Sequence, residues 1–149
     1  MSIFHAMNNS ASALTAQRLR MDVVSSNVAN AETTRATVNE NGEYEPYRRK
    51  MVEMAPQDKS FRSFLHKAQG TESASGVEVT NIVEDEDPFK MEYNPNHPDA
   101  NDDGYVELPN VDPLKEMVDL MSTTRSYEAN VTSLNASKGM LMKALEIGK

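Results

Sequence analysis

Asp99-Ala100-Asn101-Asp102-Asp103-Gly104 has the residue types and spacing of the first half of a calcium loop, D-x-N-x-D-G. In such a loop alternate oxygens converge on one ion and the glycine makes a sharp turn. The ion's shell also needs a bidentate carboxylate at the twelfth position. Here that position is Asn110, and strand-like segments flank the loop where helices should stand. The stretch therefore reads as a polar turn after Pro95 and Pro98, its Asp and Asn side chains bonding their own backbone. Glu84-Asp85-Glu86-Asp87 is a run of adjacent acids. On an extended chain these diverge, so the run reads as a solvated loop. His5, His66 and His97 share no motif. G-x-S-x-G, H-E-x-x-H, a glycine-rich phosphate loop and a catalytic carboxylate pair are all missing. The expectation is no catalytic, cofactor-binding or metal-binding residues, no cofactor, and no small-molecule substrate.

Two polar segments carry more. Arg48-Arg49-Lys50 is a small basic cluster flanked by Glu45 and Glu53, which favours surface or interface ion pairs over nucleic acid. In Ser25-Ser26-Asn27-Val28-Ala29-Asn30-Ala31-Glu32-Thr33-Thr34, Asn27 and Asn30 are three apart and share a face of a helix's last turn. Each amide can donate and accept, so the pair can tie that turn to a neighbouring backbone.

These residues need elements to hold them. From Ile3 to Val28 no Gly or Pro interrupts, and Met7, Leu14, Met21 and Val28 fall seven apart, with Ile3, Ala11 and Val24 on or beside the stripe. This predicts a helix roughly 40 Å long that ends near Asn30, a residue that tolerates the left-handed capping position. Asp112-Pro113 is an N-cap followed by proline at the first helical position. Met117, Leu120, Thr124, Tyr127, Val131, Leu134, Lys138, Leu141 and Leu145 then alternate by three and four, predicting a helix of roughly 50 Å. Leu114, Val118, Met121, Met140, Met142 and Ile147 lie off that stripe, as Phe4 and Val23 widen the other. Two helices paired only with each other would leave much of this apolar surface wet, a drive to associate.

Between the helices, Tyr44–Met54, Val77–Val83, Phe89–Tyr93 and Gly104–Pro109 have strand composition. Phe61, Phe64, Leu65 and Ala68 suit one short amphipathic helix, and Gly70–Gly76 reads as loop. The expected class is α+β: long N- and C-terminal helices paired as a coiled coil around a small inserted β domain. The expected parts are residues 1–36, a β-rich insert over 37–111 with a loop near 57–76, and residues 112–149.

The 149 residues include ten Met, no Cys and no Trp, and the net charge is −8. Counted with glycine in place of tyrosine, the apolar share is about 39%, below the ~45–50% of an average domain, so a large private core is not expected. Disulfides, zinc fingers and thiol nucleophiles are excluded. Residues 76–112 carry a net −10 while residues 1–38 and 113–149 each carry +1. The acidic balance argues against nucleic acid, and the asymmetry suggests ends that meet protein and a middle that meets water. The first residues lack the apolar stretch of a secretory signal, and no apolar run is long enough to span a membrane.

Leu14-Thr15-Ala16-Gln17-Arg18, then Asp22-Val23-Val24-Ser25-Ser26-Asn27-Val28-Ala29-Asn30-Ala31 and Thr33, resemble the N-terminal signature of the flagellar rod, hook and hook-associated proteins. Gly104-Tyr105-Val106, Pro109-Asn110-Val111-Asp112, Glu116-Met117-Val118 and Arg125-Ser126-Tyr127-Glu128-Ala129-Asn130 resemble the C-terminal half of a proximal rod member of that family. The resemblance implies a structural subunit of the bacterial flagellar basal body. Such proteins are exported unfolded by the flagellum's own type III apparatus without a cleaved signal. They assemble outside the cytoplasmic membrane, in periplasm or cell wall. Its implied partners are copies of itself, other rod proteins, and subunits of the basal-body base and distal rod. The assembly interface expected on this basis is Met7, Leu14, Met21, Asn27, Val28 and Asn30 with Leu120, Tyr127, Val131, Leu134 and Leu141. The alternative is a coiled-coil adaptor or chaperone of the export system. A two-helix arm buries too little area to offset its chain entropy, so the isolated monomer is expected to have poorly ordered ends.

Overall fold

A computed structural model describes residues 3–39, 42–57, 65, 68–69 and 76–147. Helix α1 spans Ile3–Ala29 and helix α2 spans Pro113–Ile147. Between them lie strands β1 (Thr37–Val38), β2 (Tyr44–Glu45), β3 (Lys50–Pro56), β4 (Val77–Glu84), β5 (Lys90–Tyr93) and β6 (Tyr105–Leu108). The class is mixed α+β. The strands form three two-stranded sheets, β1–β2, β3–β4 and β5–β6. In β5–β6 the register is antiparallel, with Met91 opposite Glu107 and Tyr93 opposite Tyr105.

The helix ends follow from their sequences. At the start of α2, Asp112 Oδ1 accepts the Leu114 N–H at 3.0 Å and Pro113 occupies the first turn, where a missing N–H costs nothing. At the end of α1, Asn30 Nδ2 donates to the Ser26 carbonyl at 2.8 Å. Among the described residues no non-glycine residue has positive φ, so Asn30 closes the helix with its amide and not with a left-handed backbone. Gly139 lies within α2, and the helix runs through it. Leu65 is helical, and the Gln69 N–H donates to its carbonyl at 3.0 Å. Phe61 and Phe64, which sequence placed in the same short helix, lie outside the described residues, as does most of the 57–76 loop.

The chain divides into two compact units. One comprises Met1–Arg20, Val52–Asn81 and Ser122–Lys149. In it the Ser12 hydroxyl donates to the Asn9 carbonyl and accepts the Val77 N–H at 3.1 Å. A Cβ on Gly76 would stand 2.5 Å from Ser12 Oγ, so this approach needs glycine. Its buried positions are small: Ser10, Ala16, Thr123 and Ser137. The other unit comprises Met21–Met51 and Ile82–Met121. Val23, Val24, Tyr47, Val106, Pro109 and Val111 are buried in it.

Along α2 the shielded face is Glu116, Leu120, Thr123, Tyr127, Asn130, Leu134, Ser137 and Leu141. Two rows seven apart make this face. One is leucine or tyrosine, and the other is polar or small. Met117, Val118 and Leu145, which hydropathy would turn inward, are more than half exposed. A small side chain admits a neighbouring backbone where methionine cannot.

Candidate functional site

The bulkiest fully buried side chains are Glu116, Asn27, Thr123 and Pro109. Two of them meet in the second unit, at a polar junction. Asn27, in the last turn of α1, uses its whole amide there. Its Nδ2 donates to the Lys50 carbonyl and to Glu116 Oε2, each at 2.9 Å. Its Oδ1 accepts the Tyr47 hydroxyl and the Lys50 N–H, each at 3.0 Å. An amide so placed satisfies both backbone polar groups of one residue, Lys50 at the start of β3, while touching α2. That explains why an asparagine can be buried at 1% exposure.

Glu116 stands in the first turns of α2 with 0% exposure. Its second oxygen accepts Arg49 Nε at 2.7 Å, and Arg49 reaches on to Asp85 Oδ2 at 3.0 Å. The Arg49 N–H donates to Asn110 Oδ1 at 2.8 Å, and Asn110 Nδ2 donates to the carbonyls of Asp85 and Asp87. Burial alone would lower the Arg49 pKa. Hydrogen bonds and charge from Glu116 and Asp85 outweigh it, and the guanidinium sits above its ordinary value. The Asp87 backbone N–H and then Arg49 hold the Asp85 carboxyl below the usual range. Paired charges in a low-dielectric pocket give the junction its geometry, because each side chain has one arrangement that leaves nothing unsatisfied.

A second, outer contact uses similar groups. Thr34 Oγ1 donates to Asp99 Oδ2 at 2.8 Å, and Arg35 pairs with Asp99 Oδ1. Arg35 also lies over the Tyr44 ring, 5.2 Å from its centroid. The loop that looks like a calcium site is thus committed elsewhere. Asp99 holds Arg35, Asn101 Oδ1 accepts the backbone N–H groups of Asp103 and Tyr105, and Asn110 points into the junction. Among the described residues no group of three or more His, Asp or Glu could hold a metal ion.

The stripe residues named from sequence are distributed as follows. Met7, Leu14, Met21 and Val28 are half-buried along α1, as are Leu120, Tyr127, Val131, Leu134 and Leu141 along α2. Asn30 bonds Ser26 and Thr33 at the helix end, one turn from the junction. Sequence reasoning did not single out Tyr47, Asp85, Asn110 or Glu116. It read Asp85 as part of a solvated run, yet Asp85 is turned inward while Glu84, Glu86 and Asp87 are exposed. It gave the Arg48–Lys50 cluster surface or interface ion pairs, and Arg49 makes two, with Asp85 and Glu116, in an enclosed setting. Glu116 begins a row of polar or small residues seven apart in α2, with Thr123, Asn130 and Ser137, and no local signal set it apart from the helix's other acids.

Comparison with known proteins matches the two ends of the chain. The model described as "Flagella basal body rod protein" matches residues 7–37, and "Flagellar basal body rod FlgEFG protein C-terminal" matches residues 102–147. Asn27 lies in the first stretch, Asn110 and Glu116 in the second. The chain belongs to the flagellar basal-body rod protein family, whose members are structural subunits of the rod. Its relatives include flagellar basal-body rod protein FlgC of Bacillus subtilis (strain 168), 63% identical with all of both chains covered. FlgC of Borreliella burgdorferi is 42% identical over 99% of this chain and 98% of that one. FlgC of Escherichia coli O6:H1 is 38% identical over the full length of both.

Proposed function

We propose that this rod subunit assembles helically with copies of itself and with other rod and basal-body proteins. The tube so formed transmits motor torque and encloses the export channel. α1 and α2 pair as a coiled coil, and the strands form a separate β-rich insert beyond them. The chain reaches its place outside the cytoplasmic membrane through the flagellar type III apparatus, without a cleaved signal.

The observation that carries this reading is the apolar surface α2 leaves uncovered. Leu114, Met117, Val118, Met121, Met140, Met142, Leu145 and Ile147 are all more than half exposed. A monomer that ends its work as a monomer rarely keeps so much wet apolar area on one element. Neighbouring subunits shelter it, and different patches on one surface make heterologous contacts that propagate as helical tubes. Among the described residues no helix is long and apolar enough to cross a membrane. The polar junction supports the same reading differently. A buried asparagine and ion pair set register more than they add stability, and register between chain ends is what a repeating subunit must reproduce.

Leu134→Asp tests the stripe. As the sole copy, this variant should be made and exported, be absent from purified basal bodies, and leave cells without hook–basal-body structures by electron microscopy. A motile strain with normal basal bodies would refute it. Circular dichroism of the dilute monomer should show helicity that rises with concentration as partners order the ends.

A further inference from the structure

The β5–β6 hairpin has two unlike faces. Its inner face is anchored: Val106 is buried, and Lys90 Nζ donates to the carbonyl of buried Val111 at 2.5 Å. Its outer face carries Met91, Tyr93 and Tyr105, exposed by 55%, 64% and 42%. The two rings are edge-to-face with centroids 5.3 Å apart. This platform is built to be stiff. Gly104 has φ of 82°, and a Cβ there would lie 3.0 Å from Tyr93 Cε2, so the ring rests against bare backbone. Asn101 fixes the turn with two side-chain bonds and a backbone bond to Tyr105. Asp99 fixes the loop through Thr34 and Arg35. Tyrosines held rigid in solvent lose little entropy on contact, and tyrosine and methionine are residue types enriched at protein interfaces.

The same unit presents a second uncovered surface. Leu114, Met117, Val118 and Met121 stand at i, i+3, i+4 and i+7 of α2, all more than half exposed. Of the charges between Leu114 and Met121, Lys115 is exposed, while Glu116 is in the junction and Asp119 is half-buried; exposed Asp112 precedes the row. Glu107 shares the outer face opposite Met91, and it and the loop residues Asp102 and Asp103 are exposed and have no ion-pair partner among the described residues. An apolar row edged by a cation complements an aromatic face edged by carboxylates. The two surfaces are different patches of one unit, so joining them links copies head to tail and leaves a free patch at each end.

We propose that the outer face of the β5–β6 hairpin docks on the exposed Leu114–Met121 row of a second copy of this chain. This rests on the rod reading, and it names the contact and the partner. Met91, Tyr93 and Tyr105 supply the apolar centre, and Glu107 faces Lys115 at the rim.

The sequence has no cysteine, so introduced thiols report cleanly. Glu107→Cys and Lys115→Cys, each alone, are to be co-expressed in a strain lacking the native chain, and its basal bodies oxidised. The expected result is a disulfide dimer of two copies, formed when both variants are present and lost when either is expressed alone. A crosslink joining copies cannot arise within one chain. Basal bodies that contain both variants yet give no dimer would overturn the contact and leave the rod reading intact. So would a disulfide that forms with either variant alone. Absence of the native chain from basal bodies of the parent strain, which carries it, would overturn the rod reading itself. As a second measurement, Lys115→Glu should lose incorporation into basal bodies, and adding Glu107→Lys should restore it. Failure of that rescue in a protein with parental circular dichroism also counts against the contact.

Discussion

Arg49 and Arg35 both place a guanidinium on carboxylate oxygen, and the two settings differ in almost everything else. Arg49 is 13% exposed and its partner Glu116 0%, whereas Arg35 is 50% exposed and Asp99 21%. Around Arg49 and Glu116 every polar neighbour is engaged by another, through Asn27, Tyr47, Lys50, Asp85 and Asn110. Around Arg35 the solvent can replace what a substitution removes. The comparison teaches that enclosure, more than the ion pair itself, decides what such a contact is worth. An exposed pair contributes little net, while a buried one is costly to break because its survivor stays charged without water.

The largest effect should follow from breaking the enclosed pair on one side. Glu116→Ala takes from Arg49 Nε its acceptor and from Asn27 Nδ2 one of its two, the Lys50 carbonyl remaining, in a dry pocket. Loss of one partner of a buried ion pair costs about 3–5 kcal/mol. Chemical denaturation of the full chain should show it as a lowered midpoint. Glu116→Gln, which keeps an oxygen for Asn27 but not the charge, should fall between alanine and parent. A midpoint for Glu116→Ala equal to the parent's would mean that water reaches the junction.

Asn27→Ala comes next. It removes the acceptor of the Lys50 N–H and of the Tyr47 hydroxyl, each bonded to Oδ1 at 3.0 Å, and leaves the hydroxyl only its 3.4 Å contact with Ser26 Oγ. Unsatisfied buried groups cost about 1–3 kcal/mol each. Hydrogen exchange should speed selectively at Lys50, whose N–H loses its acceptor. Uniform exchange across β3 would contradict the local account.

A smaller effect separates the regions by acid titration. The Asp85 carboxyl is held low first by the Asp87 N–H and then by Arg49; the Asp99 carboxyl is held low first by Arg35 and then by Thr34. A folded-state pKa below the unfolded value of about 3.9 contributes stability that is present above that pH and lost as pH falls through the folded value. Thermal midpoints should therefore drop below about pH 4, less steeply in Asp85→Asn and in Asp99→Asn. Added salt should weaken the contribution of exposed Asp99 more than that of Asp85. Equal salt sensitivity would erase the distinction.

Much of this was legible in the residues. Helical spacing and the Asp112-Pro113 start placed both helices, and β-branched or aromatic runs placed β3 to β6, because those signals are local. The two-residue β1 carried too little pattern to see. The ability of Asn27 to tie a helix end to neighbouring backbone was readable from its amide. Its partner Glu116 was not, because they are 89 residues apart and no local rule pairs them. The shielded face of α2 escaped for another reason. Hydropathy ranks Met117 above Thr123, but close approach of another element selects by size, and Thr123 is 2% exposed while Met117 is 51% exposed.

The smallest effect should come from Arg35→Ala, and it also settles what the Asp99–Gly104 loop can do. Arg35 raises its own pKa chiefly through its hydrogen bond with Asp99, but both groups stand in water, which can solvate each when the other is gone. The denaturation midpoint should match the parent's. The substitution also frees Asp99, the first oxygen a calcium loop would need. Calcium should still bring no shift in midpoint, in parent or variant. Asn101 Oδ1 remains occupied by two backbone N–H groups, and the twelfth position remains an amide whose oxygen accepts the Arg49 N–H inside the junction. A calcium-dependent rise in the variant would show that Arg35 had been blocking a real site. It would make the outer contact the functional one and the enclosed junction merely its support.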